Sequence, residues 1–80
     1  MKEGKSVTAA RMHTGQIGVV ESIDGGHVLC SRLDALGIRP GKRIRKVSSA
    51  FIRGPSVFEL GRSRLAIGFG MAIRILIKTD

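Results

Sequence analysis

The chain has 80 residues, 42% apolar and 25% charged, with fourteen Lys and Arg against six Asp and Glu. That length excludes a two-domain enzyme or a dinucleotide fold, and the apolar share excludes a charged disordered tail. A net charge of +8 favours acidic partners of any kind.

The first five residues, Met1-Lys2-Glu3-Gly4-Lys5, lead into no signal-peptide pattern. No apolar run approaches the ~18 residues that cross a bilayer, so a cytosolic product without membrane insertion is expected. A single cysteine, Cys30, fits a reducing compartment. Val7 to Met12 is a weak strand candidate. Ile17 to Ile23 is a stronger one: it is rich in β-branched residues and stops at the turn signal Asp24-Gly25-Gly26. Strand alternation puts Ile17, Val19 and Ile23 on one face and Val20 on the other.

The period then changes. Leu29, Leu33 and Leu36 fall at i, i+4 and i+7, which predicts a short helix over about residues 27–36. Gly37 suits the left-handed position that closes it, with Leu33 and Ile38 as the contact pair of a Schellman motif and Pro40 blocking continuation. Arg39-Pro40-Gly41-Lys42 fits a type II turn. Arg43 to Ser48 is a basic strand with a poor pattern, since only Ile44 and Val47 are apolar. Gly54-Pro55 marks a turn. Val57 to Leu60 and Leu65 to Ile67 form a hairpin about Gly61-Arg62-Ser63, and Gly68-Phe69-Gly70 reads as a tight turn. Ile73 to Lys78 closes the chain, with Ile73, Ile75 and Ile77 on one face. Five or six short strands and one inserted helix predict a mostly β, single-domain small barrel over residues 1–80. The expected interior is Leu29, Leu33, Leu36, Ile38, Leu65, Ile67, Ile73, Ile75 and Ile77.

At Leu33-x-x-Leu36-Gly37-Ile38-x-Pro40-Gly41 the chain resembles the ferrous iron transport protein A (FeoA) family. The resemblance runs from Val7 to Ile77 and takes in Val19-Val20-x-x-Ile23, Gly54-Pro55, the hairpin residues, and Ala72-x-x-Ile75-x-Ile77. It implies an SH3-like barrel, a fold shared with the C-terminal domain of iron-dependent repressors of the diphtheria-toxin-repressor type. It also implies a non-enzymatic adaptor of ferrous iron uptake, docking on the cytosolic region of the GTP-binding transporter FeoB and peripheral to the inner membrane through it. Two positions depart from the family pattern. Gly68-Phe69-Gly70-Met71 stands where members often carry charge, and Lys46 stands where an apolar strand residue is usual.

No constellation points to chemistry. His13, Asp24, His27, Cys30 and Asp34 include one pair at i, i+3 (His27 and Cys30), short of the three or four ligands a metal needs. No phosphate-binding loop and no nucleophile–base pair is present, so neither a cofactor nor catalysis is expected. The second half of the chain carries nine basic residues against Glu59 and Asp80. Arg43, Arg45, Lys46 and Arg53 cluster there, beside Phe51, as a candidate partner-binding surface. Phe51-Ile52 either anchors a partner or plugs a barrel end. With no Trp or Tyr to stack bases, nucleic acid ranks below protein as the partner, and a solvated basic face is the plain alternative. A regulatory or nucleic-acid-binding barrel outside transport is the second functional reading, and weak self-association stays compatible with both.

Overall fold

The computed structural model describes residues 5–49 and 53–79. Its elements are β1 (Lys5–Thr8), a 3₁₀ turn (Ala9–Arg11), β2 (Ile17–Ile23), α1 (His27–Ala35), β3 (Arg43–Ser49), β4 (Ser56–Leu60), β5 (Ser63–Ile67), the single helical turn α2 (Phe69–Ala72) and β6 (Ile75–Thr79). The six strands form one antiparallel sheet in the order β1-β6-β2-β3-β4-β5. The sheet curls into a rough, unclosed SH3-like barrel over one core. Val20, Ile44, Phe58, Ile67, Ile75 and Ile77 fill it from the strands, and Leu33 and Ile38 cover it from the helix and its exit.

The helix end forms as its sequence predicts. The Ile38 amide donates to the Leu33 carbonyl and the Gly37 amide to the Asp34 carbonyl, both at 2.9 Å, with Gly37 at φ +92°. This is the paired bonding of a Schellman motif, and it seats Leu33 and Ile38 together in the core. The type II turn follows: Lys42 donates to the Arg39 carbonyl at 3.1 Å, with Gly41 at φ +94°.

Four expectations are corrected. Leu36 is the capping residue and stays 47% exposed, because the chain reverses into Gly37 and gives the buried place to Ile38. Ile73 is 43% exposed: the segment after Gly68 coils into α2 instead of a tight turn, Ile73 caps that helical turn, and Ala72 takes the interior position. Leu29 and Leu65 pack against the core from partly buried positions. Val7 to Met12 splits into a short strand and a 3₁₀ turn, from which Ala9 and Met12 reach the core.

The inner face of β2 is carried by Gly18 and Val20. A Cβ on Gly18 would run into the Ile77 side chain and lie 2.9 Å from the Lys78 carbonyl, so β2 and β6 approach there only with glycine. Ile17 and Val19 therefore point outward. Glu21 is then the extra residue of a bulge between Val20 and Ser22, which reverses the alternation and returns Ile23 to the core side.

Candidate docking face

β3 supplies the centre of the exposed face. Its alternation sends Ile44 and Lys46 inward and Arg43 and Arg45 outward. On β2, Ile17 stands opposite Arg45 and Val19 opposite Arg43, and on the far side Val19 stands opposite Lys78 of β6. Two rows result across the strands. One runs Lys78, Val19, Arg43. The other runs Ile17, Arg45, Glu59, Arg64. Ile17 is 51% and Val19 40% exposed.

The charges in these rows differ in their engagement. Glu59 takes both Arg45 (3.6 Å) and Arg64 (3.3 Å). Arg39 pairs with Asp34 at 3.3 Å. Lys42, Arg43 and Lys78 have no acidic partner within 4.0 Å among the described residues. Arg43 also borders three adjoining depressions. One of about 400 Å³ lies against Ile17, Arg45 and Glu59, one of about 340 Å³ against Leu36, Lys42 and Leu60, and one of about 160 Å³ against Val19 and Lys78.

The cluster read from sequence is thus divided. Arg43 and Arg45 share the outer face. Lys46 is 2% exposed and leaves the surface set. Its ammonium reaches under the 3₁₀ turn to the carbonyls of Ala9 (3.3 Å) and Ala10 (3.0 Å), with the Phe58 ring 5.8 Å away. Burial pushes its pKa below the usual 10.5. Arg53 is exposed at φ +64°, past the far end of β3 from Arg43, a strand of six residue steps and so about 20 Å. Phe51 and Ile52 lie outside the described residues. Val19, Ile17, Leu36 and Lys78 are the members that sequence reasoning missed. The signal for the first two was Gly18 between them, which marks the crowded side of the strand.

A further depression, of about 530 Å³, lies between α1 and the Ile38–Pro40 segment. Its polar groups answer to one another: His27 Nε2 is 3.4 Å from Ser31 Oγ, Asp34 holds Arg39, and Cys30 Sγ sits 3.7 Å from the Gly25 carbonyl. No group of three or more His, Cys, Asp or Glu converges among the described residues. None of the described helices is long and apolar enough to cross a membrane.

The curled six-stranded antiparallel sheet with its basic and aliphatic outer face is that of an SH3-like domain. The FeoA domain profile matches residues 7–79, and the chain belongs to the FeoA family, with a place in ferrous iron transport. It is similar to the crystal structure of an iron uptake regulatory protein (FeoA), at 33% identity and TM-score 0.88 over 95% of this chain and 100% of that one. It is also similar to the zinc-complexed FeoA of Stenotrophomonas maltophilia, described as a prokaryotic SH3 domain protein, at 25% identity and TM-score 0.76 over 89% and 88% of the two chains. A manganese-dependent transcriptional repressor shares the fold at 16% identity and TM-score 0.86, with 45% of its chain covered. A search of curated proteins returned no match.

Proposed function

We propose that the chain is a non-enzymatic accessory factor of ferrous iron uptake that docks on the cytosolic region of a FeoB-type transporter and modulates its assembly or activity. One observation carries the reading: in a chain of FeoA membership, the exposed sheet face sets Val19 between Arg43 and Lys78, two cations with no acidic partner within 4.0 Å among the described residues. Exposed charges add little to stability, so a field of this sign is better spent on association. Charge would act on the encounter, and Ile17 and Val19 on how long the complex lasts.

Surface plasmon resonance against the isolated cytosolic domain of the transporter at low and high salt tests this. Reversing Arg43 and Arg45 to Glu is expected to slow association and flatten its salt dependence. Val19→Ser is expected to raise the off-rate with little change in salt response. Absence of any binding by the unsubstituted chain at micromolar concentration would refute the docking role.

A further inference from the structure

We infer that the face centred on Arg43 recognises a protein segment in which acidic side chains flank an apolar one. The inference rests on docking as the mode of action proposed above, and adds the chemistry of the docked segment. Lys78, Val19 and Arg43 lie in register on three neighbouring strands. Strands are spaced about 4.8 Å apart, so the backbones of Lys78 and Arg43 stand roughly 10 Å apart with an exposed valine midway. Arg43 borders three depressions on this face among the described residues, and Ile17 and Leu36 supply exposed aliphatic surface on either side of it. A guanidinium with no acidic partner among the described residues can take a carboxylate in two parallel hydrogen bonds. The Val19 methyl groups take the apolar side chain between the two acids.

Other occupants fit less well. A second copy of a chain of net charge +8 would set this patch against itself, cation on cation. A nucleic acid strand tracks a continuous basic strip and stacks on aromatic rings. Here Glu59 interrupts the strip and consumes Arg45 and Arg64, and Phe58 is buried. A lipid surface is flat and would leave the depressions beside Arg43 unfilled.

The test selects displayed random peptides on the immobilised chain and measures the winners by fluorescence anisotropy. Anionic vesicles of equimolar phosphatidylglycerol and phosphatidylethanolamine, oligouridine, and the transporter's cytosolic domain serve as parallel probes. Selected peptides are expected to place Asp or Glu on both sides of Leu, Ile or Val. Arg43→Glu and Val19→Ser should each weaken them by about tenfold or more, as for central interface residues. Arg32→Glu, the same change of charge at an exposed position on α1, should leave them within about twofold, as at an interface rim. Peptides without acidic enrichment, equal losses for Arg43→Glu and Arg32→Glu, or tighter binding of vesicles or oligouridine would each overturn the inference. Peptides that bind as expected while the cytosolic domain does not would sustain this surface and remove the transporter as its partner. A cytosolic domain that binds Arg43→Glu normally, with peptides equally indifferent, would spare docking and overturn the surface.

Discussion

Replacing Gly37 isolates one backbone term from all others. A Cβ built there meets nothing within 4 Å, so any penalty comes from φ +92° itself. Left-handed backbone costs an L-residue about 1–2 kcal/mol, and a strained outlier of a bulky residue up to about 3. Asn tolerates this region best among the non-glycine residues. The expected series is Asn below about 1 kcal/mol, Ala at 1–2 and Val at 2–3. Escape from the strain is not cheap. Leaving φ > 0 would break the bonds from Gly37 to Asp34 and from Ile38 to Leu33, at about 1 kcal/mol each. It would also pull fully buried Ile38 outward, a loss of about 1.5–3 kcal/mol. A domain of this size loses roughly 4–8 °C in Tm per kcal/mol, so Gly37→Val should fall by about 10–20 °C in a circular-dichroism melt. Urea titration of the three variants gives the ordering directly. Ala within experimental error of the wild type, or Asn as damaging as Val, would refute the assignment of the helix exit.

Three further outcomes are expected. Gly18→Ala should destabilise by about 1–3 kcal/mol through overpacking against Ile77 and the Lys78 carbonyl, although its own φ is ordinary; a neutral result in urea titration would mean β2 and β6 are farther apart than described. Val19→Ala should stay within about 0.5 kcal/mol while Val20→Ala, one residue on, loses about 2, because only Val20 is buried; equal losses would contradict the outward face of β2. Lys46 has a folded pKa below its unfolded 10.5, so between those values the unfolded chain holds more protons and stability rises with pH. The penalty for an interior ammonium is thus complete below the folded value and relieved as pH climbs toward 10.5. The urea midpoint of wild type relative to Lys46→Met should rise over that window, and a constant difference would contradict it.

The parts of the fold written in local chemistry were legible. Leu33, Gly37, Ile38 and Pro40 specify a helix exit within eight consecutive positions, and each does so through its own backbone preference or its own burial. Strand faces were harder, because alternation gives two faces without saying which one is wet. In β2 the answer depended on how near β6 passes Gly18, a distance set by residues some sixty positions away. The bulge at Glu21 then moved Ile23 off the face it shared with Ile17 on paper. Lys46 was conspicuous as a lysine in an apolar slot, yet counting it with the basic surface missed its inward register. Its partners are main-chain carbonyls of Ala9 and Ala10, which have no side-chain signature. The Arg43 face was half visible: the arginines could be read, and the valine between them and Lys78 could not.

Burial of Lys46 has a consequence for covalent surface mapping. Lys42 and Lys78 present amines on the outer face, whereas the Lys46 amine is enclosed. Amine-reactive reagents and cross-linkers will therefore acylate the first two quickly in the native protein and Lys46 only when β3 opens. Protection of Lys42 and Lys78 on adding a partner reads the footprint, and the slow Lys46 signal in the same digest reads unfolding. One mass-spectrometry experiment thus carries its own internal clock, separating a partner that covers the face from a condition that merely loosens the barrel.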